Sequence, residues 1–215
     1  MRLPQISCKI KQSIAQLRKG FAAQRKMSPP FREKLVREML DKQTPKEAGV
    51  LILLYENDEE MYIAFTQRHT YKGVHSGQIS LPGGKAETVD IDFAATAIRE
   101  TEEEIGVLQS DIALLGELTE LYVPPSNFMI YPFVGAYYDG KPDFVKEEAE
   151  VAEILEIKLS DLLDEKNIQE YKLERRDFTY KTPAYFINGK IIWGATAMIL
   201  SEFLDVVKNL QSMRQ

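Results

Sequence analysis

The sequence predicts a mixed α/β fold, and three observations predict it. Two apolar runs of strand length, residues 49–55 (GVLILLY) and 61–68 (MYIAFTQR), are separated by a short polar connection. Residues 81–107 read LPGGKAETVDIDFAATAIRETEEEIGV, a glycine turn that leads into one amphipathic helix. Near the C-terminus Asn188-Gly189, the strongest short hairpin signal, joins two more strand-like arms directly before an apolar helix. Periodicity supports mixed α and β structure and does not by itself choose an architecture.

In chain order, residues 5–26 and 30–42 read as helices, broken by Ser28-Pro29-Pro30. Residues 44–47 form a linker that turns at Pro45, and the runs 49–55 and 61–68 pair as an antiparallel hairpin across ENDEE. A loop over 68–84 carries Gly73, Gly77, Gly83 and Gly84. It also holds His75, one of two histidines, for which a turn-stabilising hydrogen bond is the commoner role than catalysis. At about 100° per residue the next helix gathers Ala94, Ala97, Ile98, Thr101 and Ile105 on a core side. Gly106 follows where a left-handed cap belongs. Residues 112–121 and 128–138 read as strands on either side of VPPSN, and 151–157 as a short strand with Ile154 inward. Residues 159–163 form a short helix capped by Ser160, and 170–181 a polar, aromatic excursion over the site. The arms 183–187 and 190–193 precede a last helix to about Leu210, with Ile199, Phe203 and Val206 on its core face.

The chemistry concentrates on the helix after the glycine turn. Glu100, Glu103 and Glu104 share a sector beside the core side, and Glu102 points about 160° away from Glu100. Like charges at these spacings repel by several tenths of a kcal/mol per pair. A run such as ETEEE is ordinarily a solvated face, but a hard divalent cation would offset the repulsion, because Mg²⁺ takes carboxylate oxygens together with substrate phosphates. Arg99 precedes the first carboxylate, with a planar fork suited to anchoring a neighbour.

The whole pattern resembles the Nudix box, G-x5-E-x7-R-E-U-x-E-E-x-G-U with U aliphatic, matched by Gly84, Arg99, Glu100, Glu103, Glu104, Gly106 and Val107. It departs in three places. Fifteen steps separate Gly84 from Arg99 where the pattern has fourteen, the first acid is Asp90 or Asp92, and Thr101 stands at an aliphatic position. The preceding loop resembles a signature of the coenzyme A branch of that family, approximately L-L-T-x-R-[SA]-x3-R-x3-G-x3-F-P-G-G. Thr66, Arg68, Gly77, Pro82, Gly83 and Gly84 match it, and His69, Gly73 and Leu81 depart, with Lys72 standing beside the missing arginine. WGATA at 193–197 is similar to the same branch. The resemblance covers about residues 48–205, which divides the chain into a helical N-terminal extension (1–47) and a hydrolase unit (48–215).

The resemblance implies a Nudix-type α/β/α sandwich around a mixed sheet, with that extension added. It implies a small-molecule diphosphate substrate, most specifically coenzyme A, cleaved to 3′,5′-ADP and 4′-phosphopantetheine with Mg²⁺ or Mn²⁺ as cofactor. Glu100, Glu103 and Glu104 would hold the metal, Glu103 or Glu150 would help activate water, and Arg99 would orient the cluster. Glu120 is the runner-up to Glu150. The Gly83-Gly84 turn would hold the loop against the helix start, and Arg68, Lys72 and Lys85 would meet phosphates. A broader nucleoside diphosphate hydrolase acting on ADP-ribose or sugar nucleotides is the rival enzyme. A non-catalytic ligand sensor is the rival of another class, and the intact acidic cluster argues against it.

Of 215 residues, 44% are hydrophobic, enough to bury a full core. The net charge of −6 is uneven, +8 over residues 1–48 and −14 over the rest. The basic residues fall at helical spacing among Ile10, Ile14, Leu17, Phe21, Leu35, Val36 and Leu40, the pattern of solvated helix faces. A nucleic-acid or membrane partner is therefore not expected. The lone Cys8, with no apolar run of signal-peptide or membrane length and no peroxisomal ending in SMRQ, leads to the expectation of a cytoplasmic protein. Oligomeric state is open, a homodimer included.

Overall fold

The computed structural model describes residues 2–16, 20–40, 42–70, 77–174 and 179–212. Strand β1 (Lys46–Asn57) organises it. Leu51, Leu53 and Tyr55 enter one apolar cluster while Ile52 and Leu54 enter another, so both faces of this strand are covered. That is why it reads as an unbroken apolar run rather than as an alternation.

Around it lie β2 (Glu60–Arg68), β3 (Ile79–Ser80), β4 (Gly83–Lys85), β5 (Ala113–Glu117), β6 (Leu121–Val123), β7 (Phe128–Ala136) and β8 (Val151–Lys158). The sheet has the order β3-β2-β1-β7-β5, with β4 on β1, β6 on β7 and β8 on β2. β1 and β7 run parallel from Lys46↔Phe128 to Leu54↔Ala136, and the other pairs are antiparallel. This is a mixed sheet, as expected. The β1–β2 hairpin turns on Asp58 and Glu59, both at positive φ, the conformation a two-residue turn demands.

Helix α4 (Phe93–Ile105) covers one face through Ala97 and Ile105. The other face is covered by α1 (Leu3–Gln16) and by α6 (Gly194–Ser212), whose Ile199, Phe203 and Val206 are buried. Two smaller helices, α2 (Phe21–Arg25) and α3 (Arg32–Leu40), complete the N-terminal part. Between β8 and the end of the chain lie α5 (Leu159–Leu163) and a second, three-stranded sheet of β9 (Ile168–Glu174), β10 (Thr179–Ile187) and β11 (Lys190–Trp193). Helices on both faces of a mixed sheet make the α/β/α sandwich.

Five local expectations are corrected. The helix expected over 5–26 is interrupted at Gly20, between α1 and α2, because the Gly20 amide is tied to Thr119 and a Cβ at Gly20 would meet the Glu202 side chain; residues 17–19 lie outside the described residues. The linker over 44–47 is already strand from Lys46, drawn in by pairing with β7. The single strand over 112–121 is two, β5 and β6, broken where Thr119 is captured by Glu202; the slip in the ladder with β7, between Leu114 and Gly116, lies within β5. Ser160 caps nothing: Lys158 still belongs to β8 and is the N-cap, without a side-chain bond. Where the expected excursion over 170–181 is described it is strand, β9 to Glu174 and β10 from Thr179, and the exposed side chains of β9 read as a polar loop; residues 175–178 lie outside the described residues.

Candidate functional site

The site is built where α4 meets β1 and β4. Asp92 caps α4 by accepting from the Ala95 amide, and Gly106 ends it in the left-handed conformation. Asp90 is therefore left for another task. Its carboxylate takes a two-point hydrogen bond from the Arg99 guanidinium, Nε to Oδ1 at 2.9 Å and Nη2 to Oδ2 at 3.0 Å, and also accepts from the Glu87 amide and the Thr96 hydroxyl. The hydrogen-bonded Arg99 holds the Asp90 carboxyl well below the usual carboxylate range, and Asp90 holds the guanidinium above its own.

Arg99 spends its remaining donors on the predicted cluster. Nη1 reaches Glu100 at 2.9 Å and Glu103 at 3.0 Å, and Nη2 reaches the Lys85 carbonyl at 3.3 Å. The guanidinium thus joins the loop ahead of the helix to two carboxylates on it.

β4 pairs with β1 as Gly84↔Gly49 and Gly83↔Val50. A Cβ at Gly84 would lie 2.3 Å from the nearer Glu100 oxygen, so only a glycine admits that carboxylate. The Gly83 amide donates to Glu104 Oε2 at 3.2 Å. Glu104 is buried, and burial raises its carboxyl from 4.5 to about 7, against the amide of Gly83 and the charge of Arg68. Burial raises Glu100 as well, opposed by Arg99. Glu103 keeps 57% of its side chain exposed.

Past the end of α4 the chain returns over the cluster. The Val145 amide donates to the Ile105 carbonyl and that of Glu147 to the Glu104 carbonyl, both at 3.0 Å. Glu100, Glu103, Glu104, Glu147 and Glu150 thereby line one cavity of about 280 Å³. The three helix carboxylates and Glu150 thus share this space, and Arg99 is bonded to two of them. Glu120 is not among the lining residues and lies near Tyr131 with Glu47 and Glu117. Glu147 was indistinguishable by spacing from its acidic neighbours; docking of the 145–147 segment on the helix end selects it.

A second, larger cavity of about 550 Å³ shares Glu100 and Glu150 with the first. Arg68, Gly83, Gly84 and Lys85 line it, so the loop residues predicted to meet substrate face one space. Lys72, and with it His75 and Gly73, lies outside the described residues.

Among the described residues, no three acidic, histidine or cysteine side chains are already drawn together as a metal cage. The glutamates line walls of a shared cavity rather than a point, and Arg99 occupies oxygens of Glu100 and Glu103. The chemistry of the set nonetheless fits a hard divalent cation. It is all oxygen, it crowds carboxylates, and one of them, Glu104, is buried and another, Glu100, half-buried, at a cost that a bound cation would reverse.

A model of the NUDIX domain matches residues 45–178. Nudix hydrolase 22, chloroplastic, of Arabidopsis thaliana is 35% identical over 172 residues, covering 76% of this chain and 56% of that protein. The chain thus spans little more than half the length of this plant relative. An uncharacterized Nudix hydrolase NudL of Photorhabdus laumondii is 31% identical over 146 residues, covering 68% of this chain and 77% of that one. Among solved structures, a C. elegans Ap4A hydrolase binary complex superposes with a TM-score of 0.50 at 13% identity, over 78% of this chain and 98% of that chain. At that identity the likeness shows the fold.

Proposed function

This chain belongs to the Nudix family, and on that premise we propose that it hydrolyses the diphosphate linkage of coenzyme A or its thioesters. The observation that carries the proposal is the continuity of the glutamate-lined cavity with a larger one floored by the Gly83-Gly84 turn and flanked by Arg68. A diphosphate seated there has carboxylates on one side and loop cations on the other. The coenzyme A assignment is supported by the match of Thr66, Arg68, Gly77, Pro82, Gly83 and Gly84 to that branch's signature, and Arg68 and Trp193 line the same cavity.

Glu100, Glu103 and Glu104 are the proposed ligands of Mg²⁺ or Mn²⁺, which when bound neutralises diphosphate charge and lowers the pKa of a coordinated water. Arg99 keeps Glu100 and Glu103 in register with the loop through Asp90 and the Lys85 carbonyl. Arg68, Lys72 and Lys85 meet the phosphates. Glu150, or Glu103, accepts the proton of the attacking water. Water oxygen bonds to one phosphorus as the bridging P–O bond breaks, and the two phosphate products are 3′,5′-ADP and 4′-phosphopantetheine. A reducing cytoplasm is proposed on the single, exposed Cys8; among the described residues no helix is long and apolar enough to cross a membrane.

The test is identification of products after incubation with Mg²⁺ and a panel at equal concentration: coenzyme A, ADP-ribose, a sugar nucleotide and a dinucleoside polyphosphate. Appearance of 3′,5′-ADP with coenzyme A preferred supports the assignment. Preference for ADP-ribose replaces it with a broader hydrolase, and metal-dependent turnover of no diphosphate replaces it with a ligand sensor.

A further inference from the structure

The larger cavity continues beyond the phosphate end, and part of its far walls comes from outside the domain match. Pro29, Phe31, Arg32 and Leu35 of the N-terminal extension line it, as do Tyr180 and Trp193, all beyond residues 45–178. At about 550 Å³ the space lies within the range that encloses a drug-sized ligand. A diphosphate group alone leaves most of it unfilled.

Helix α3 has no other evident task. None of its residues is buried, so it adds nothing to the core. It is nevertheless held in place. Arg32 donates to the Tyr122 carbonyl, and Phe31, just ahead of the helix, meets Tyr180 edge-on with ring centroids 4.7 Å apart at 88°. Its half-buried Leu35 faces a space also lined by Val123, Phe128, Met198 and Trp193.

The two ends of this cavity differ in chemistry. Glu100, Glu150, Arg68 and Lys85 gather where it joins the acidic cavity. Among the described residues the far walls are aliphatic and aromatic, and their cation, Arg32, is bonded to a backbone carbonyl. A phosphorylated adenosine would bring a dianion to these apolar walls, and burying a charge without a partner is costly. An uncharged, largely aliphatic arm fits them.

We propose that this cavity seats the acylated pantetheine arm of the substrate and that α3, with Phe31 ahead of it, sets the acyl chain accepted. The inference rests on the coenzyme A reading and adds to it a preference for thioesters, a direction for the substrate and a specificity element outside the domain match.

The experiment uses the full chain with Mg²⁺ and measures kcat/KM for free coenzyme A and for its acetyl, butyryl, hexanoyl and octanoyl thioesters. Each methylene that enters the cavity raises kcat/KM by up to about fourfold, so roughly tenfold or more is expected between acetyl and hexanoyl. Phe31→Ala and Leu35→Asp bring the ratio of hexanoyl to free coenzyme A toward one. A readout without turnover runs beside it. Trp193 is the chain's single tryptophan and lines the cavity, so in EDTA its emission shifts with hexanoyl-coenzyme A and not with 3′,5′-ADP.

A flat chain-length series with coenzyme A still cleaved overturns this inference and leaves the proposed function standing. A rising series that both variants, melting as the wild type does, leave unchanged overturns the role of α3. Cleavage of ADP-ribose with no member of the coenzyme A series touched overturns the function itself, and this inference with it.

Discussion

At the scale of single residues the site depends on one guanidinium doing what several separate contacts otherwise would. Arg99 bonds Asp90 at two points, two helix carboxylates and a loop carbonyl. The Asp90 side chain is 5% exposed. Replacing Arg99 by Ala strands a buried carboxylate, a change that costs about 3–5 kcal/mol, whereas Arg99→Lys keeps the charge and loses the fork. In chemical denaturation Arg99→Ala is therefore expected to lose the most stability, with Arg99→Lys between it and the wild type; equal loss in both would place the weight on the fork alone. Asp90, with its pKa depressed, stabilises the fold above the ordinary carboxylate value of 3.8 and loses that contribution as pH falls below it. Glu104 has the opposite sign. Its folded pKa of about 7 lies above the ordinary 4.5, so its contribution is fully present below pH 4.5 and is lost as pH rises through 7. Above pH 7 the metal-free protein carries an ionised, buried Glu104, a strain on the order of 3 kcal/mol that a cation relieves. The increase in Tm on adding Mg²⁺ should accordingly be larger at pH 8.5 than at pH 5.5. In EDTA at pH 8.5, Glu104→Gln should melt above the wild type while its turnover falls on the order of 10²-fold. An Mg²⁺ shift of equal size at both pH values would show that Glu104 is not a ligand.

At the scale of elements the decisive contact is the seating of α4 on β1 and β4, and two glycines there separate folding from function. A Cβ at Gly49 would lie 2.3 Å from the Phe93 carbonyl and 2.9 Å from the Ala97 amide. Both are backbone atoms, so Gly49→Ala must lift the helix off the strand, with a loss of about 1–3 kcal/mol. The atoms nearest a Cβ at Gly84 all belong to the carboxyl group of Glu100, which can swing aside. Gly84→Ala is thus expected to melt close to the wild type and to lose turnover, and thermal melts beside kcat measurements distinguish the two variants. The two positions also show what the sequence revealed. Gly84 was legible because a glycine turn ahead of the Arg99–Glu104 run is part of a recognisable pattern, even one residue farther from it than the pattern has; Gly49 sits at the head of an apolar run and looks like any strand glycine. The long helix, the β1–β2 hairpin and the Asn188-Gly189 turn were legible because local periodicity and turn chemistry dictate them. β3 and β4 were not, being two and three residues long within a Gly-Pro loop, where pairing alone makes them strands. The break at Gly20 was hidden for the same reason: its cause, Thr119 and Glu202, lies elsewhere in the chain.

At the scale of the whole molecule the N-terminal helices and the sheet share one interior. Leu3, Ile6, Ile10 and Ile14 of α1 lie in the same apolar cluster as Ile52 and Leu54 of β1 and Phe203 and Val207 of α6. Polar links tie them across long sequence separations. The Leu3 amide donates to Glu56, Tyr138 donates to Ser7, and buried Glu202 accepts from Gln24, from the Thr119 amide and from the Thr119 hydroxyl. Fully burying four aliphatic side chains contributes about 1.5–3 kcal/mol each, and a native domain is stable by about 5–15 kcal/mol in total. Removing α1 and α2 gives up much of that margin, uncovers one face of the sheet and deprives Glu202 of Gln24. A chain beginning at residue 45, the first residue of the domain match, is therefore expected to show no cooperative melt and to bind a hydrophobic dye, while the full chain melts in one transition. Glu202→Ala in the full chain isolates the polar share: it leaves the Thr119 amide and the Thr119 hydroxyl buried without their acceptor, each a loss of about 1–3 kcal/mol, leaves Gln24 with the Thr119 carbonyl alone, and lowers Tm while every side chain of the acidic cavity stays in place. If instead the chain from residue 45 melts cooperatively near the temperature of the full chain, the extension is an addition to a self-sufficient unit, and the shared cluster stabilises the helices rather than the sheet.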